Sequence, residues 1–205
     1  MYARFYKLPS IYTNLVASYG DSITIYRSSG NFSTHGQWVA GRTEIAPEEV
    51  NYVRFMMFGA DSGVVRGDYI KDESTNEEYF IMAAKLDTAI TNPFSLYTEL
   101  YLINYPETAV QRETTSYDQY GNPTGTTWNT VVTVPMNIQH VNGSIPYKDG
   151  LLLEDTVFKC VTQVDTGIQL LDRVVINGKP YEVSDINLTE SPGLAVVQVK
   201  TDVRS

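Results

Sequence analysis

At 42% hydrophobic and 19% charged residues, this 205-residue chain lies outside the low-hydrophobicity composition of disorder, and its length suits one large β domain or two of about 100 residues. A formal charge of -9 argues against a sequence-independent nucleic-acid binder, which needs Lys and Arg to displace phosphate counterions. The single cysteine, Cys160, excludes an intrachain disulfide and a four-thiolate zinc site and fits a reducing cytosol.

In chain order, residues 1–20 read as an N-terminal arm. Ser10 is placed to cap a short helix running to about Tyr19, with Ile11, Leu15 and Val16 on one face. Lys7 and Pro9 interrupt any apolar run there, so a signal-peptide core is not expected, and no stretch approaches the length of a membrane span. Tyr2, Phe5, Tyr6 and Tyr12 give the arm more aromatics than a segment without its own domain would use, making them candidate subunit-interface residues; a helix capping its own first domain is the alternative.

From Ser22 onward, alternation and β-branched or aromatic runs predict strands: "SITIYR", "VNYVRFMMF", "EEYFIMAA", "SLYTELYLINY", "NTVVTVPMNIQHV", "TVFKCVTQV", "DRVVI", "YEVSDI" and "LAVVQVKT". Between them, "SSGNFSTHG", "ADSG" and "DQYGNPTG" carry turn residues. Pro47-Glu48-Glu49 opens either a helical turn or a strand connection. Asn177-Gly178 predicts a two-residue hairpin with positive φ at both positions. The expected fold class is all-β, with two tandem small β-barrel-like domains over 21–105 and 106–205.

The division rests on an internal echo. Asp61-Ser62-Gly63 aligns with Asp165-Thr166-Gly167, and Asp68 with Asp172, at a common offset of 104. After a two-residue adjustment Tyr79 aligns with Tyr181. Upstream, "ITIYR" with Trp38 corresponds to "TAVQR" with Trp128, which predicts equivalent sites for the two tryptophans. Shared turn chemistry in unrelated hairpins would produce part of this pattern; duplication of one domain would produce all of it. Asp61, Gly63, Asp68, Tyr79, Asp165, Gly167, Asp172 and Tyr181 are therefore the repeat-signature residues, with structural roles.

No constellation for catalysis emerges. His35 and His140 stand in polar loop or strand contexts, neither His-x-x-x-His nor Cys-x-x-Cys occurs, and Cys160 falls where the first copy has Met56, as a core residue would. Glu48-Glu49 and Glu77-Glu78 are adjacent, so on strands their side chains face opposite sides. The Asp-Ser/Thr-Gly tripeptides resemble the aspartic-protease signature, but the hydrophobic pattern that accompanies it is missing. The expectation is a non-enzyme without cofactor or metal.

A strand ending in a basic residue, a Gly-rich loop, Trp, then "GDYIKDESTNEEYFIM" or "LDRVVINGKPYEVSDI" resembles head-closure proteins of tailed bacteriophages, also called stoppers or head-tail connectors. Gly67-Asp68-Tyr69-Ile70 with Tyr79 matches their domain ending; the second copy departs from it in having Leu171 in place of the Gly. The resemblance implies a virion neck protein, present in host cytoplasm during assembly. It would form a homo-oligomeric ring between a portal or adaptor ring and tail proteins. DNA would pass its acidic channel without specific binding, and no membrane is involved. Six copies would display twelve like domains to one side. Competing readings are a tail-completion or baseplate adaptor and, from another class, a carbohydrate- or receptor-binding β module.

Overall fold

The computed structural model describes residues 8–27, 29–39, 53–86, 95–141, 152–189 and 191–204. Tyr2, Phe5, Tyr6 and the Pro47-Glu48-Glu49 stretch lie outside them. The chain divides into two units, Met1–Ile103 and Asn104–Ser205. Each is a closed barrel of six strands, so the protein is all-β with two barrels in tandem and a short N-terminal helix.

The first unit opens with α1 (Leu8–Tyr19), which begins before the expected cap at Ser10. Val16 is buried as the spacing suggests, but Leu15 is 53% exposed, so the apolar stripe is narrower than expected. The strands of the first barrel are β1 (Asp21–Tyr26), β2 (Phe32–Val39), β3 (Val53–Gly59), β4 (Tyr69–Asp72), β5 (Glu78–Leu86) and β6 (Ser95–Leu102). β2 corrects the sequence reading of "SSGNFSTHG" as wholly a turn region. Its Ser, His and Gly disfavour a strand, yet pairing with β1 on one side and β3 on the other supplies what propensity lacks. Gly36 is required there because a Cβ would stand 2.3 Å from Met56 Sδ and 2.9 Å from Phe58 Cε1.

The second barrel comprises β7 (Tyr105–Tyr117), β8 (Pro123–His140), β9 (Phe158–Gln163), β10 (Arg173–Ile176), β11 (Lys179–Asn187) and β12 (Leu194–Thr201). Around the first barrel the strands run β1-β2-β3-β6-β5-β4, and around the second β7-β8-β9-β12-β11-β10. All pairings are antiparallel, and closure leaves no free edge in the barrel wall itself.

The registers match as well as the order. Ile25 faces Phe32 and Ile70; Val110 faces Val132 and Val174. Met56 faces Trp38 and Thr98; Cys160 faces Ile138 and Val197. Tyr79 faces Ile70 as Tyr181 faces Val174, and both fifth strands shift register just beyond, between Ile81 and Ala83 and between Val183 and Asp185. One topology with one register and one bulge, twice, is the structural content of the echo. Met56 and Cys160 accordingly occupy the same core position, each fully buried.

This register also corrects the tryptophan pairing. Trp38 corresponds to Ile138, because both face the Met56/Cys160 position. Trp128 instead faces Glu113, beyond the barrel wall. The sequence alignment missed this because the β1–β2 connection is short, while β7 and β8 extend 13 and 18 residues and displace the second tryptophan along the chain.

The cores are separate. Ile23, Ile25, Met56, Phe58, Ile70, Tyr79, Ile81 and Leu100 are among those filling the first, and Val110, Met136, Cys160, Val174, Val183 and Val197 among those filling the second. Each such side chain contributes roughly 1.5–3 kcal/mol relative to exposure. Asn177 and Gly178 have φ of 51° and 75° and join β10 to β11, with Ile176 facing Lys179. This is the two-residue type of hairpin the dipeptide predicts.

Candidate functional site

The repeat-signature residues converge, within each barrel, on one stitch. Arg27, just past β1, sends Nε to Asp68 Oδ1 at 2.5 Å and Nη2 to Asp68 Oδ2 at 2.5 Å. The same Nη2 donates to the Gly63 carbonyl at 2.7 Å, and the Val65 amide donates to Asp68 Oδ2 at 2.8 Å. In the second barrel Arg112 binds Asp172 through Nε at 2.8 Å and Nη2 at 2.7 Å, and Nη2 donates to the Gly167 carbonyl at 3.0 Å. The Gln169 amide donates to Asp172 Oδ2 at 2.8 Å. Both carboxylates are almost wholly buried, and two-pronged, charge-assisted pairing of this kind is the arrangement that tolerates burial. In each pair the aspartate's hydrogen bond pushes the arginine pKa up.

The chemistry is that of fastening. Each stitch ties the crossover after the third strand onto the first strand, one residue past its last pair with the fourth. The backbone repeats too: Gly67 and Leu171 donate to Ile81 and Val183, and Ile81 and Val183 donate back to Asp68 and Asp172. Gly63 and Gly167 have φ of 73° and 76°, in the left-handed region. Leu171 stands where the first copy has Gly67 and adopts φ 69° itself, so the departure from the repeat is in side chain and not in backbone. Asp61 and Asp165, the leading residues of the tripeptides, are exposed outside both stitches. Tyr79 is buried with its hydroxyl donating to Glu77, and Tyr181 is half-buried against Phe158. Tyr12 is partly buried, which raises its pKa.

Sequence reasoning placed the arginines at strand ends without assigning them a partner. The signal was the matching place of each arginine after its strand, in "ITIYR" and "TAVQR"; the spacing hid it, since 41 residues separate Arg27 from Asp68 and 60 separate Arg112 from Asp172, mainly because of the long β7–β8 hairpin.

That hairpin is the second feature. β7 pairs with β10 only at Ala109–Gln111, and β8 with β9 only at Asn137–His140. Residues 112–117 and 123–130 therefore project as a two-stranded ribbon. Its base is braced by Trp128, whose ring lies 3.6 Å from the Arg173 guanidinium and 4.7 Å from that of Arg204. Arg173 and Arg204 are in turn both bonded to Asp202, whose side chain is fully buried. Burial alone would raise the Asp202 pKa, but hydrogen bonds from Arg204 and Arg173 outweigh it and lower it to about 2. At the tip Asp118 accepts from the Tyr120 and Asn122 amides, and Gly121 takes φ 84°. Tyr117 and Tyr120 are 65% and 81% exposed. None of these features was anticipated beyond the turn residues of "DQYGNPTG".

His35 is half-buried on β2, and His140 packs edge-on against Phe158. Among the described residues no group of three or more His, Cys, Asp or Glu stands close enough to hold a metal ion, and no helix is long and apolar enough to cross a membrane.

No protein-family model matches the chain, and no curated protein matches it. Among solved structures the chain is similar to MrkH, described as a novel c-di-GMP dependence transcription regulatory factor, at 8% identity over 98% of this chain and 84% of that one, with a TM-score of 0.25. K. pneumonia MrkH in its apo state shares 10% identity over 98% and 85%, with a TM-score of 0.24. Its complex with c-di-GMP shares 6% over 98% and 87%, with a TM-score of 0.25. Likeness at this level carries no inference about this chain.

Proposed function

We propose that this chain is a non-catalytic structural protein of the tailed-phage neck, forming a homo-oligomeric ring between portal and tail. The observation that carries the reading is the way the chain spends its polar residues. The buried carboxylates Asp68, Asp172 and Asp202 are each saturated by arginine and backbone donors that hold the fold, while the feature left projecting is a ribbon suited to contact and not to chemistry. The strand-Gly-Asp-Tyr resemblance supplies the specific assignment, and the net charge of -9 suits a conduit that repels phosphate instead of gripping it.

A second reading, a carbohydrate-binding β module, draws on Tyr117 and Tyr120, exposed at the ribbon tip where aromatic faces could stack on sugar rings. The two separate experimentally. Light scattering with negative-stain imaging of the purified chain should show closed rings under the neck reading. A monomer whose binding to immobilised glycans is lost in Tyr120→Ala would favour the module and refute the ring.

A further inference from the structure

The projecting ribbon has a property that sheet edges in soluble proteins avoid. β8, from Pro123 to His140, contains no Asp, Glu, Lys or Arg. Among the described residues its outer edge pairs with no strand along the ribbon, from Pro123 to Thr130; contact with β9 follows farther on, where the Pro135 carbonyl accepts from the Thr162 hydroxyl and pairing begins at Asn137. The segment "TGTTWNTVVTV" is rich in β-formers, and Val131 within it is 46% exposed. Long edge strands are normally guarded by charge, especially Lys, because a bare edge recruits another strand. A free two-stranded ribbon is marginal in water on its own. Here the Trp128–Arg173 stack at the base and the Asp118 turn at the tip hold it extended in advance of any partner.

We infer that the ribbon is the contact through which copies of this chain join, the bare β8 edge of one copy pairing with the β7 edge, residues 112–117, of the next. Two observations select a second copy as the occupant. First, among the described residues the ribbon has an edge on each side that pairs with no strand, so head-to-tail addition satisfies both with a single kind of chain. Such heterologous contacts close into a ring when the rotation per copy allows. Secondly, a chain carrying -9 repels its own copies, whereas the β8 edge carries no charge and residues 112–117 carry one of each sign, Arg112 and Glu113, at the ribbon's base. The ribbon is where two acidic chains meet without opposing charge. Main-chain hydrogen bonds supply the attachment, as in strand addition generally, and the preset ribbon loses little freedom on pairing.

This inference rests on the ring reading and goes beyond it by naming the contact. The test uses the full chain in two variants, followed by light scattering over a concentration series. Thr126→Lys/Thr130→Lys guards the edge while leaving the hairpin in place. Replacing residues 114–127 by Asn-Gly, so that Glu113 and Trp128 flank a tight turn, removes the ribbon. Circular dichroism and a single cooperative unfolding transition report that the barrels persist in each. We expect both variants to be monomeric at concentrations where the wild type is fully assembled. In the wild-type assembly, β8 amides from Thr124 to Thr130 should exchange with solvent at least tenfold more slowly than in the guarded monomer. A variant that assembles like the wild type overturns the ribbon contact and leaves the ring standing. A monomeric wild type overturns both.

Discussion

The stitch can be cut cleanly at Asp172. Asp172→Ala removes both hydrogen bonds from Arg112 and the acceptor for the Gln169 amide. Because the Arg112 side chain is 35% exposed, it can turn to solvent, and its pair contributes only about 1 kcal/mol. An amide donor deprived of its acceptor adds about 1–2 kcal/mol. The expected loss is therefore about 2–3 kcal/mol. For a unit of this size that corresponds to a midpoint roughly 10–20 °C lower. Asp172→Asn keeps an acceptor for either donor and removes the charge, so it should lose about half as much. Urea unfolding followed by calorimetry measures both, and Asp68→Ala should behave alike, since the same contacts recur in the first barrel. Losses below about 0.5 kcal/mol in both alanine variants would show that the stitches are ordinary surface ion pairs and would refute the account of the repeat.

Gly178→Val places a β-branched residue at φ 75° and should destabilise by roughly 1–2 kcal/mol in urea unfolding. Gly36→Ala drives a methyl towards the Met56 and Phe58 side chains; about 1–3 kcal/mol is expected from the same assay, the lower figure if the Met56 side chain moves aside. Asp202 has a folded pKa lowered to about 2, below its unfolded value, so its contribution is present above the ordinary carboxylate range and is lost as pH falls from about 4 towards 2. Stability measured across that window should fall less steeply in Asp202→Asn than in the wild type. Burial pushes the Cys160 thiol up to about 12; iodoacetamide at pH 8 should leave it unmodified in the native protein and label it in urea, and rapid native labelling would contradict its place in the core.

What was legible in the sequence had local causes. Strand alternation predicts an all-β chain, and Asn177-Gly178 encodes its turn directly. The common offset of 104 held from the third strand to the fourth because no insertion separates the copies there. The two-residue adjustment before Tyr79/Tyr181 is the difference between the β4–β5 and β10–β11 turns. Features set by tertiary pairing were not legible. β2 is a strand because two neighbours hold it, despite residues that read as a turn. Leu171 at positive φ follows from the stitch around it and from no propensity of leucine. Nor does sequence show which edge of β8 goes unpaired, since that depends on where the barrel closes.

The central claim, that this is a ring-forming structural protein, is tested most directly by the native mass of the purified full-length chain, taken with negative-stain images of the same sample. The account predicts a discrete, concentration-stable closed ring, six chains being the number that presents twelve barrels. A monomer at all concentrations, or open filaments without closure, would contradict it.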